Sequence, residues 1–170
     1  MPMTLTHDCN GFDALIREPL SGRWIARTRV LLDSYRNALG RDLAERGGDA
    51  REDARLLFAL PAIVLSHGTE ADPILDYGNR AALELWEMTP EAFIAMPSRL
   101  TAEPGARAAR EKALADTKRQ GFSTGYEGIR ISATGRRFFI HDATIWNLVD
   151  AQDRPAGQAA TFSRWSAIRE

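Results

Sequence analysis

The chain of 170 residues is long enough to bury a substantial core as one domain, and 44 % hydrophobic with 26 % charged residues is ordinary globular usage, which excludes a disordered or fibrous chain. A formal net charge of −1, from 22 basic and 23 acidic residues, supplies no global attraction for nucleic acid or for an anionic membrane, so neither partner is expected. Cys9 is the single cysteine, which excludes an internal disulfide and a thiol cluster for a metal; with no apolar run of about 18 residues and no basic-then-apolar start, a cytoplasmic location is expected.

Residues 1–20, with Pro2, Asn10, Gly11 and Pro19 and few periodic apolar positions, read as a flexible terminal arm. From Ser21, Trp24, Leu31, Leu32, Tyr35, Ala38 and Leu39 recur at helical spacing and predict an amphipathic helix to about residue 45. Gly47-Gly48 breaks it, and Asp49 with Glu52 three residues later caps a short helix that ends before Pro61. Residues 21–60 are thus a helical preface.

Ala62-Ile63-Val64-Leu65 predicts a first strand and Ile74-Leu75-Asp76-Tyr77 a second, separated by a polar turn. Asn79 caps the helix over 80–86, and Thr89-Pro90-Glu91 supplies a cap, a first-turn proline and an acid for a one-to-two-turn helix to Met96. Pro104 opens an Ala-rich helix closed by Lys118, Arg119 and Gly121. Strands over 122–132, 136–149 and 157–165 then form an antiparallel meander, and the middle one, apolar on both alternating faces, requires cover on both sides. Helices segregated on an antiparallel sheet make an α+β domain.

The element order over 61–165, with Ile74-x-x-Tyr77-x-Asn79-x-Ala81, resembles a PAS domain. More narrowly, Val64-Leu65-Ser66-His67-Gly68-Thr69-Glu70-Ala71-Asp72-Pro73, Tyr77-Gly78-Asn79-Arg80-Ala81-Ala82-Leu83-Glu84-Leu85, Pro97-Ser98-Arg99-Leu100-Thr101-Ala102-Glu103-Pro104 and Gly157-Gln158-Ala159-Ala160-Thr161-Phe162-Ser163 resemble the MEKHLA domain family, over residues 25–166. The resemblance implies a PAS-like five-stranded antiparallel sheet with short helices on one face and the helical preface as an N-terminal extension. It implies a sensory or interaction role, with a small-molecule ligand and a homodimer or partner protein, and it names no cofactor; fold likeness alone does not supply a function. A photoactive flavin-thiol site needs a helix-borne cysteine, which Cys9 is not, and a haem ligand would have to be Met88 or Met96, because 78–120 holds no histidine.

On such a fold Trp86, Phe93, Met96, Phe138, Ile140 and Trp146 converge under the short helices, around a filled core or a small apolar cavity. Asp142 and Thr144 share a face with Ile140 by alternation and would place a polar pair in that shell. His67 ends the first strand, where its imidazole either serves a ligand or bonds a backbone group at the turn. Arg99 either holds a carboxylate ligand through its planar fork or pairs with Glu103 or Glu84. The candidate ligand-binding set is therefore His67, Trp86, Phe93, Met96, Arg99, Phe138, Ile140, Asp142 and Thr144. Catalysis is not expected, since no nucleophile elbow, phosphate loop or metal spacing is present; the alternative is a small hydrolase or isomerase using His67 or Asp142 in the same pocket. Whether the helix from Ser21 covers its own sheet or a partner's is left open by its stripe alone.

Overall fold

The computed structural model describes residues 10–169, and Cys9 with the rest of 1–9 lies outside them. Helix α1 (Asn10–Leu15) is followed by α2 (Leu20–Leu39) and α3 (Ala50–Phe58). Phe12 and Ile16 are buried, and the Phe12 ring meets Phe58 edge-on at 5.6 Å, so residues 10–16 form a packed element where a flexible arm was expected. The apolar stripe of α2 buries Trp24, Leu31, Leu32 and Tyr35. The helix stops at Leu39, earlier than its periodicity suggests, because Gly40 adopts φ 73° and its N–H closes back on the Arg36 carbonyl. In α3 the Asp49 side chain accepts the Glu52 N–H, as the cap pattern predicts.

Strands β1 (Ile63–His67) and β2 (Leu75–Gly78) lead into α4 (Arg80–Trp86) and α5 (Pro90–Phe93), then a 3-10 turn at Ser98–Thr101 and α6 (Pro104–Gln120). The meander is β3 (Phe122–Ile131), β4 (Arg137–Val149), β5 (Pro155–Phe162) and β6 (Arg164–Ala167). All pairings are antiparallel, in the order β2-β1-β5-β4-β3. The last expected strand is split at Ser163, and β6 adds a sixth member along Phe138–His141 of β4.

Helix α2 covers one face of this sheet, with α3 packed on α2 and α1 on α3, and α4 to α6 stand on the other face. Trp24 donates its indole N–H to the Gly78 carbonyl at 3.0 Å, and Arg27 reaches Asp76 at 2.8 Å and the Ala156 carbonyl at 2.6 Å. Helix α2 therefore serves its own sheet. Tyr35 meets Trp146 edge-on at 5.0 Å on that face, so Trp146 does not join the residues under the short helices.

The reason is a change of alternation in β4. Asp142 sits at φ 50° in a bulge, opposite a second irregularity at Gly125 (φ 71°), and the ladder steps from Ile140 facing Gly128 to Ala143 facing Tyr126. One extra residue moves every later side chain to the opposite face. Ile140, Ala143 and Ile145 consequently share the inner face, Asp142 is exposed, and Thr144 falls on the face of Trp146.

Candidate functional site

Between the inner face of the sheet and α4, α6 and the 3-10 turn lies a cavity of about 60 Å³. Its wall is largely apolar, from Leu65, Leu75, Leu114, Ile140, Ala143, Ile145 and Phe162 with the Trp86 indole. Into this shell project His67 from β1, Ser98 and Thr101 from the 3-10 turn, Arg110 from α6, Tyr126 and Arg130 from β3, and Gln158 from β5. Among the described residues no Asp or Glu lines it.

Arg110 and Arg130 are 8 % and 7 % exposed, and among the described residues neither makes an ion pair with a carboxylate. Arg110 donates to the Ser98 hydroxyl at 2.8 Å. Arg130 donates to the Ile129 carbonyl at 2.8 Å and to the Tyr126 hydroxyl at 3.0 Å. Burial, and then the neighbouring Arg130 charge, push the Arg110 pKa down to about 10, which still leaves it charged at neutral pH.

Of the four buried side-chain polar atoms without a hydrogen-bond partner among the described residues, two belong to this wall, His67 Nε2 and Trp86 Nε1. The His67 ring lies with Nδ1 2.9 Å from the Gly68 carbonyl. A carbonyl only accepts, so Nδ1 carries the proton and Nε2 of the neutral ring is a bare acceptor. Burial holds the His67 pKa below the usual imidazole value, and nearby Arg110 adds to that effect against the Gly68 hydrogen bond.

An outer cleft lined by Asp72, Pro73, Arg99, Glu111 and Lys118 shares His67, Ser98, Arg110, Leu114 and Gln158 with the cavity. Those five residues line both spaces. Helix α6, which carries Arg110 and Leu114, buries only Arg110 and Thr117 of its length, so little apolar packing fastens it to the body.

His67, Trp86 and Ile140, all expected at the site, are brought together on the cavity wall. Phe138 stands behind Trp86, edge-on at 5.2 Å. Phe93 is fully buried against Gly78 and Met96 packs at the core margin, both away from the cavity. Arg99 lies in the outer cleft and pairs with Asp72 at 3.2 Å, with neither Glu103 nor Glu84. Asp142 and Thr144 point elsewhere for the reason given by the β4 bulge. The positions that sequence reasoning missed, Arg110, Tyr126, Arg130 and Gln158, sit on a helix and strands where a polar residue reads as a solvated face. The mark available beforehand was the segment Pro97-Ser98-Arg99-Leu100-Thr101-Ala102-Glu103-Pro104 of the family resemblance, whose Ser98 receives Arg110.

Three comparisons bear on this fold. The MEKHLA domain model matches residues 25–167. The Homeobox-leucine zipper protein ATHB-9 of Arabidopsis thaliana is 27 % identical over 146 residues, 86 % of this chain and 17 % of that protein, so the chain spans about a sixth of that relative. Among solved structures, the PAS domain of a protein from Colwellia psychrerythraea superposes with a TM-score of 0.57 at 15 % identity over 69 % of this chain and 95 % of its own. A light-oxygen-voltage domain, in a structure concerned with a flavin analogue, superposes at 0.50 with 13 % identity over 64 % and 78 %. With its sheet order, its helix-covered inner face and a family match over most of its length, the chain belongs to the MEKHLA domain family and has the PAS fold.

Proposed function

We propose that the chain is a sensory domain that takes one small molecule into the cavity between sheet and helices and reports its presence through the position of α6. The observation that carries this reading is an apolar cavity lined by His67 and Trp86, whose buried Nε2 and Nε1 atoms have no hydrogen-bond partner among the described residues. Such atoms are normally satisfied, and leaving one unpaired costs about 1–3 kcal/mol. A ligand that meets them recovers that loss. The Arg110 to Ser98 bond stands across the route from the outer cleft, so entry requires Arg110, and with it part of α6, to move.

A homodimer contact or a partner protein would read that movement, and α2, used within the chain, leaves other surfaces for it. Turnover has no place in this reading, because the described residues bring to the wall one imidazole and no carboxylate to act with it as an acid–base pair. Among the described residues no helix is long and apolar enough to cross a membrane. Native mass spectrometry of freshly purified protein beside its denatured mass tests the proposal. A mass excess per subunit that vanishes on denaturation, with a defined stoichiometry, is expected. Clean multiples of the chain mass would favour an interaction module with no resident ligand.

A further inference from the structure

We infer that the cavity is built for a small hydroxylated organic acid, with a carboxylate held by Arg110 and Arg130, an apolar body against the sheet, and a hydroxyl donated to His67 Nε2. The inference rests on the cavity being a ligand site and names the class of that ligand.

Charge carries the argument. Where this protein buries a guanidinium for its own architecture it supplies a counter-ion, as Asp76 at 2.8 Å from Arg27 shows. Arg110 and Arg130 are more deeply buried, lie close enough for one to depress the pKa of the other, and among the described residues have no carboxylate beside them on the wall. Two like charges taken out of water with neutral hydrogen-bond partners but no counter-ion are unfavourable, and an anion between them lowers that penalty. The planar forks suit a carboxylate, which two such donors grip with direction as well as charge.

Space is kept for this arrangement. A Cβ on Gly128 would fall 2.7 Å from the Tyr126 hydroxyl and 3.3 Å from an Arg130 guanidinium nitrogen, so the glycine lets that pair lie flat on the sheet. The remaining wall selects within the acids. It is apolar, which disfavours inorganic anions. Two guanidiniums on a wall to which the described residues bring no carboxylate repel an ammonium group, which disfavours amino acids. The bare Nε2 of His67 calls for a donor, and a hydroxyl supplies one. At about 60 Å³ the cavity exceeds the roughly 10–15 Å³ that one water needs and suits a handful of heavy atoms.

Isothermal calorimetry on the full chain with four matched probes decides the class: 2-hydroxyisovalerate, isovalerate, valine and methyl 2-hydroxyisovalerate. The hydroxy acid is expected to bind about tenfold or more tightly than isovalerate, since a net 1.4 kcal/mol is a factor of ten, with valine and the ester weaker still. Arg110→Gln and Arg130→Gln are each expected to lower hydroxy-acid affinity about tenfold or more while the free protein melts no lower, because an unpaired buried charge has been removed. Gly128→Ala keeps both charges yet displaces the Tyr126 and Arg130 side-chain ends; it too should lose about tenfold in affinity with the fold intact. If the ester binds as well as the acid, or affinity ignores both arginine variants, the acid class is overturned while the cavity reading stands. If none of the four binds and the freshly purified protein carries no cargo mass, both fall.

Discussion

His67 shows how one residue is held between a structural and a recognition role. Its Nδ1 closes the β1 turn on Gly68, its carbonyl lies against Gly157, and its Nε2 is buried with no hydrogen-bond partner among the described residues. Gly157 must lack a side chain, because at φ 113° its Cβ would stand 1.9 Å from that carbonyl oxygen. Buried among Arg110 and Arg27, the ring resists protonation, so its folded pKa lies below the 6.5 of the unfolded chain. Between those two values the unfolded state binds the extra proton, and stability therefore falls as pH drops below 6.5, with the full penalty present once pH is below the folded pKa. Asp76, whose pKa burial raises despite Arg27, acts in the opposite sense, so the informative quantity is a difference between proteins. In His67→Gln, the gap in Tm between about pH 7.5 and about pH 5.5 is expected to narrow by about 2–4 °C for each 1 kcal/mol of protonation penalty removed. Thermal unfolding at the two pH values checks it; an unchanged gap would mean that the ring is not buried as a neutral acceptor.

Among the elements, α4 depends on Asn79 more than its seven residues suggest. The fully buried Asn79 carbonyl oxygen accepts the Ala82 N–H at 3.1 Å as a helix cap and the Val64 N–H at 3.0 Å across to β1, while its amide donates to the Leu60 and Ala62 carbonyls. The side chain thus ties the end of the helical preface, the first strand and α4 at one point. Asn79→Ala removes a cap and strands a buried N–H, an expected loss of about 2–4 kcal/mol, read as a lower midpoint in urea with the slope unchanged. The cap itself was legible in the sequence, as were Asp49, Thr89 and the turns, because capping is local chemistry written within four residues. The β4 bulge was not. Asp142 gives no signal of its left-handed backbone, and simple alternation placed it beside Ile140 when the ladder places Ala143 there. Arg110 escaped for a related reason: on an Ala-rich helix with Glu111 and Lys112 beside it, it reads as one more solvated charge. Half of the candidate site thus follows from register and from long-range packing, which no local pattern encodes. The same helix offers a test at this scale. If α6 moves to admit a ligand, its amides should exchange faster than those of β4 and β5 and slow on ligand binding; equal protection throughout would remove α6 as the reporting element.

At the scale of the whole molecule, the sheet is a partition with different tasks on its two sides. The outer side is closed by α2 through Trp24, Leu31, Leu32 and Tyr35, by aromatic contacts from Trp24 to Tyr77 and from Tyr35 to Trp146, and by the partly buried Arg27 to Asp76 pair. This side is densely packed and resists deformation. The inner side carries the cavity and the loosely anchored α6. A rigid back and a yielding front suit a domain whose ligand is to shift one element and not the fold. The division also separates two meanings of the α2 stripe, since a helix used within its chain stabilises the monomer, whereas one that covers a partner's sheet makes stability depend on concentration. Trp24 is fully buried and its indole N–H satisfies the Gly78 carbonyl. Trp24→Ala should therefore cost about 3–5 kcal/mol, and at about 2–4 °C per kcal/mol the Tm should fall by about 6–20 °C. The drop should be the same across a hundredfold range of protein concentration, because what is lost is packing inside one chain. A Tm that climbed with concentration in the parent protein and ceased to do so in Trp24→Ala would instead place that indole at a subunit interface, and α2 would then have to be assigned to a neighbouring copy.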